Sequence, residues 1–142
     1  MSGLKAFFAQ NALKVENEKV VVSKRFLDDK GNPMEWEIQA ITPKENEQLK
    51  ESNTKKVKAG GKKQYYMPEL SFADYSAELI ATCIVYPNLN DADLQDSYKV
   101  MGATDLIRKM LTPGEYDELF TKVQEINGFE IDFGDKVDEA KN

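Results

Sequence analysis

The chain has 142 residues, is 41% hydrophobic and 31% charged, and carries 25 acidic against 19 basic side chains for a net charge of −6. That length and composition fit one globular domain, able to bury about two-thirds of its unfolded surface, and not a disordered chain. The acidic balance argues against general nucleic-acid binding, which needs cations to displace counterions from phosphates, and no apolar run approaches the ~20 residues of a membrane span.

Residues 2–13 place Leu4, Phe7 and Phe8 on one side of an expected short helix with Ser2 as N-cap. This start has too little apolar length for a signal peptide, so a cytoplasmic protein is expected. Over residues 20–41 the expectation is a β-hairpin. Val20 to Phe26 is rich in β-branched residues, the turn Asp28-Asp29-Lys30-Gly31-Asn32-Pro33 follows, and residues 34–40 then alternate. Met34, Trp36, Ile38 and Ala40 face one way and Glu35, Glu37 and Gln39 the other, so one face is buried.

Thr42-Pro43-Lys44-Glu45 ends the strand and opens a helix with a capping box: threonine as N-cap, proline at the first position and Glu45 reaching back. Residues 53–67 then break the pattern. Lys55, Lys56, Lys58, Lys62 and Lys63 stand there with no acidic residue, followed by Tyr65, Tyr66 and Met67, and the stretch reads as a lysine-rich loop. A lysine run is ordinarily a solvated surface. The functional alternative is a landing site for an acidic partner, with the two tyrosines as amphipathic anchors. A further alternative is that Gln64–Met67 pairs as a third strand, since a lone hairpin is only marginally stable.

From 71 to 128 the reading is a helical core. Ser71 is expected to cap a helix whose stripe is Phe72, Tyr75, Leu79, Ile80, Cys83 and Ile84, and Pro87 prevents its continuation. Asn90 is expected to cap a short acidic helix bearing Asp91, Asp93 and Asp96. Leu106, Ile107, Met110 and Leu111 face inward from the next, and Tyr116, Leu119, Phe120, Val123 and Ile126 from the last, with Gly128 as a left-handed stop. Residues 129–142 form an acidic tail, partly disordered by expectation, in which Phe129, Ile131 and Phe133 alternate and could add an edge strand. The fold class expected is therefore α+β: an N-terminal antiparallel hairpin in a small sheet, then a mainly α-helical C-terminal two-thirds.

Chemistry is sparse. No histidine is present, which removes the usual general base and the commonest metal ligand, and Cys83 is the one cysteine, set among Leu79, Ile80 and Ile84 as a core residue. Gly60-Gly61-Lys62-Lys63 lacks the spacing of a phosphate loop. The acidic run Asp91-Ala92-Asp93-Leu94-Gln95-Asp96 lacks the glycine and closing glutamate of a calcium loop and suits a helix start. No catalytic, cofactor or metal site is expected, and the chain reads as a non-enzyme.

The punctuation carries a name. Tyr86-Pro87-Asn88-Leu89-Asn90-Asp91, Thr112-Pro113-Gly114-Glu115 and Asn127-Gly128, with Ser71-Phe72-Ala73-Asp74-Tyr75 upstream and Val137-Asp138-Glu139-Ala140-Lys141-Asn142 at the end, resemble the XkdN-like tail assembly chaperones of tailed phages. The resemblance runs from about the first hairpin to the last residue. It implies a host-cell protein, absent from the finished virion, that holds the aggregation-prone tape measure protein while tail tube subunits polymerise around it, without catalysis. The expected partners are then the tape measure protein and the tail tube protein, with no nucleic acid or membrane. Exposed hairpin edges also make a homo-oligomer an expectation. The candidate partner-binding residues are Phe7 and Phe8, the lysines Lys55, Lys56, Lys58, Lys62 and Lys63 with Tyr65 and Tyr66, and Phe129 and Phe133. Two other classes stay open on the residues alone: a structural tail or head component, or an unrelated small cytoplasmic interaction adaptor or enzyme.

Overall fold

A computed structural model of the chain describes residues 3–60 and 65–129. Strands β1 (Glu18–Val20) and β2 (Trp36–Ile38) are followed by α1 (Pro43–Ser52), β3 (Thr54–Ala59), β4 (Tyr65–Leu70), α2 (Phe72–Cys83), β5 (Ile84–Tyr86), α3 (Ala92–Ser97), α4 (Ala103–Met110) and α5 (Pro113–Ile126). The class is mixed α+β, with the N-terminal hairpin in place.

The hairpin pairs Val20 with Trp36 and Glu18 with Ile38, antiparallel. Its alternation works as the pleat requires: Trp36 and Ile38 are buried while Glu35 is exposed. The strands are shorter than the sequence suggests. Beyond Val20 the chain turns Val22 inward and lays Phe26 beside Trp36, ring centroids 6.2 Å apart. The turn is held by Asp28 Oδ1, which accepts from the N–H groups of Lys30 and Asn32 at 2.9 Å, and Gly31 takes the left-handed φ of 84°.

A third strand completes this sheet from an unexpected source. The order is β1-β2-β5, so Ile84-Val85-Tyr86, read from sequence as the end of a helix, instead leaves α2 and pairs antiparallel with β2. Two β-branched residues and a tyrosine favour the extended form, and covering the open edge of β2 supplies backbone partners that a lone hairpin lacks.

Helix α2 buries Tyr75, Ala77, Leu79, Ile80 and Cys83 and packs against α1, α4, α5 and β5. It is the central helix, as its broad apolar stripe suggests. Leu106, Ile107 and Met110 of α4 and Leu119, Val123 and Ile126 of α5 close the core over it. Both capping boxes form, at Thr42 with Glu45 and at Thr112 with Glu115. Gly128 takes φ 73°, the left-handed stop.

Several expectations need correction. Asp91, not Asn90, caps α3, its Oδ1 accepting from Leu94 N at 2.8 Å. Ser71 stands at the N-cap of α2 but its hydroxyl donates to Asp74 Oδ2 at 2.9 Å instead of accepting a backbone N–H. The N-terminal helix over 2–13 contracts to a 3-10 stretch at Gly3–Phe7 with no buried residue, because its Leu4–Phe7 stripe meets no apolar surface. Ser2, Gln64 and the tail from residue 130 lie outside the described residues.

The largest difference is at 53–67. The expected lysine-rich loop is an antiparallel ribbon in which Thr54–Ala59 pairs with Tyr65–Leu70 as a separate two-stranded sheet, not as a third strand of the hairpin.

Candidate functional site

The β3–β4 ribbon stands on a firm base. Asn53, buried between α1 and β3, donates through Nδ2 to Leu49 O at 2.7 Å and to Glu78 Oε2 at 2.8 Å, and its own carbonyl accepts from Ser71 N at 2.8 Å. Both ends of the ribbon are therefore tied to the same residue, and through it to α1 and α2. Above that base the burial stops. Every residue of β4 is exposed, as are Lys55, Lys56, Val57 and Lys58 of β3.

The register sorts these side chains into two faces, since directly opposed residues point the same way. Thr54 with Leu70, Lys56 with Pro68 and Lys58 with Tyr66 form one face; Lys55 with Glu69 and Val57 with Met67 belong to the other, with Tyr65 at its far end. Among the described residues the ion pairs are Arg25–Glu115, Arg108–Asp74 and Lys122–Glu125, all in the body, so none engages Lys55, Lys56 or Lys58.

At the foot of the first face lies an apolar groove of about 380 Å³, lined by Leu70, Phe72, Phe120 and Phe129, with Lys50 at its rim and Tyr75 and Leu79 beneath. Phe72 packs its ring 6.1 Å from Phe120 and 6.4 Å from Tyr75, yet remains 59% exposed. The sequence placed Phe72 and Phe120 in the core stripes. Both sit at the solvent margin of those stripes, Phe72 at the first turn of α2, where periodicity does not separate a core position from a rim position.

The candidate residues are thus partly gathered. Lys56, Lys58 and Tyr66 share the face that leads into the groove, and Phe129 lines the groove itself. Lys55 and Tyr65 belong to the opposite face. Phe7, at the end of the N-terminal 3-10 stretch, and Phe8, just after it, are exposed and do not line the groove. Lys62, Lys63 and Phe133 lie outside the described residues. Leu70, Phe72, Phe120 and Lys50 belong to the site without having been singled out for it.

One shifted titratable group lies at the groove: burial pushes the Tyr75 phenol up, and its hydroxyl donates to Asn46 Oδ1. The others lie elsewhere, each tied to a structural partner. Arg25 holds the Glu115 carboxyl down at about 2, with Ser23 and the Thr112 N–H assisting. The Ser71 hydroxyl, then Arg108, hold Asp74 below the usual carboxylate range. Burial pushes the Cys83 thiol up, and its sulfur accepts from Asn127 Nδ2 at 3.4 Å. Among the described residues no group of three or more Asp, Glu or Cys side chains converges as a metal site, and no helix is long and apolar enough to cross a membrane.

An exposed basic and apolar ribbon is thus rooted beside an aromatic groove. The sequence profile of the family described as phage XkdN-like tail assembly chaperone matches residues 4–141. The chain belongs to this family of phage tail assembly chaperones. The phage-like element PBSX protein XkdN of Bacillus subtilis is 33% identical over 98% of this chain and 93% of its own length. An uncharacterized Bacillus subtilis protein, YqbN, is 32% identical over the same shares. A crystal structure of YqbN superposes with a TM-score of 0.77 at 27% identity, covering 92% of this chain and 99% of the other. The fold of this chain is thus shared with a solved structure over nearly its whole length.

Proposed function

We propose that this chaperone binds the tape measure protein and keeps it in solution in the host cytoplasm while the tail assembles, by reversible contact and without catalysis. The tail tube protein is a second candidate partner, and contact between copies would let several chains coat one long client. The observation that carries the reading is the ribbon with its groove: exposed apolar side chains held in fixed positions and surrounded by lysines, on a body whose own core is already closed. A surface of that kind can cover helix-forming apolar segments and release them, because its contacts are many and individually weak.

Co-expression with the tape measure protein tests the reading. The client is expected in the soluble fraction and in complex with this chain, and aggregated when expressed alone. A client that is equally insoluble with and without the chain overturns the chaperone reading. Recovery of the chain as a stoichiometric part of purified virions would move it to the structural tail components.

A further inference from the structure

We infer that the groove-side face of the ribbon binds its client as an amphipathic helix with an acidic flank, and does not take it up as an added strand. The inference rests on the chaperone reading and names the chemistry of the segment bound.

Along β4, Tyr66, Pro68 and Leu70 follow one another on one face and run directly into the groove at Phe72. Beside this apolar row, on β3 of the same face, stand Lys56 and Lys58, and Lys50 continues the basic side at the groove. The surface is thus two parallel stripes, one apolar and one cationic. Four residue steps at about 3.3 Å make the ribbon part about 13 Å long, which about nine helical residues span. The groove extends the track further.

Two stripes side by side are what one side of an amphipathic helix presents: apolar residues at three- and four-residue spacing, with a charged row next to them. The charge must be acidic to match. The groove-side face of the ribbon holds Lys56 and Lys58 and no acidic residue, in a chain whose net charge is −6, so the cationic patch is local and opposes the rest of the molecule. Strand addition is disfavoured at both edges. β3 carries lysine at three of its six positions, and β4 carries Pro68, which has no N–H to give to a neighbouring strand.

The test uses the full chain and a synthetic amphipathic peptide of about 16 residues, with leucine on one face and glutamate along its flank. A twin peptide carries lysine on the flank. Binding is read by fluorescence anisotropy at two salt concentrations, and by circular dichroism for induced helix. The acidic peptide is expected to bind as a helix, more weakly at higher salt, and the basic twin not to bind. The pair Lys56→Glu with Lys58→Glu, and separately Tyr66→Ala with Phe72→Ala, are each expected to weaken it about tenfold or more. Val57→Ser with Met67→Ser, on the opposite face, is expected to leave it within about twofold. All these positions are exposed, and an unchanged thermal transition confirms each variant folded.

The same variants are then co-expressed with the tape measure protein. If the wild-type chain fails to solubilise it, the chaperone reading falls. If the wild-type succeeds and the groove-face variants succeed equally, the chaperone reading stands and this inference is overturned. Acidic-peptide binding by the Tyr66→Ala with Phe72→Ala variant as tight as that of the wild type would likewise overturn it in favour of strand addition.

Discussion

The helical body and the ribbon use apolar residues in opposite ways. In the body, Leu79, Ile80, Leu106, Ile107, Leu119 and Val123 are all at 1% exposure or less. In the ribbon, Val57, Tyr65, Tyr66, Met67 and Leu70 are all exposed. Similar side chains therefore stabilise the fold in one region and remain available in the other. A two-stranded ribbon is marginal alone, so its order comes from the anchor at Asn53, and its apolar rows contribute little to folding.

That contrast can be broken by truncation. Leu106→Ala removes a fully buried side chain from the α2–α4–α5 core and is expected to cost about 2–5 kcal/mol in urea unfolding. Val57→Ala in the ribbon is expected to stay within about 0.5 kcal/mol. Comparable losses at the two sites would show that the ribbon packs as part of the body.

A smaller effect is expected where the sheet is tied to α5. Asn127 accepts Ile41 N–H through Oδ1 at 2.8 Å and donates through Nδ2 to Val123 O at 2.8 Å. Asn127→Ala leaves the Ile41 N–H without its acceptor, and about 1–3 kcal/mol should be lost in the same assay. Thr112→Ala removes the hydroxyl that accepts from Glu115 N at 3.3 Å, and should cost about 1 kcal/mol.

The smallest effect concerns acid. Glu115 is held at about 2, below its ordinary 4.5, chiefly by Arg25. A carboxyl depressed in the folded state stabilises it above its unfolded value, and that contribution disappears as pH falls from about 4.5 towards about 2. Arg25→Ala should let Glu115 titrate nearer 4.5. The gap between urea midpoints at about pH 6 and about pH 3 should then narrow, whereas an unchanged gap would remove Arg25 as the cause.

Much of the body was legible in the sequence because its signals are local. Thr42-Pro43 and Thr112-Pro113 announce helix starts with side chains three residues apart, and Trp36-Glu37-Ile38 alternates within a single strand. The parts that were missed depend on distant partners. Ile84-Val85-Tyr86 continues the apolar stripe of α2, and only the vacant edge of β2 makes it a strand. β3, Thr-Lys-Lys-Val-Lys-Ala, has almost no strand signature and forms because β4 pairs with it and Asn53 pins the base. For the site, the lysines and tyrosines were visible as composition, but their division into two faces required the register. Phe72 and Phe120 were visible as periodic apolar residues, and their place at the rim required the packing.

The comparison is tested most directly by hydrogen exchange on the wild-type chain, alone and in complex with the tape measure protein. New protection is expected over residues 65–72 and the groove segment near Phe120 to Phe129, with the amides of α4 unchanged. Protection confined to α4 and the β1–β2 hairpin, with the ribbon exchanging as it does in the free protein, would contradict it.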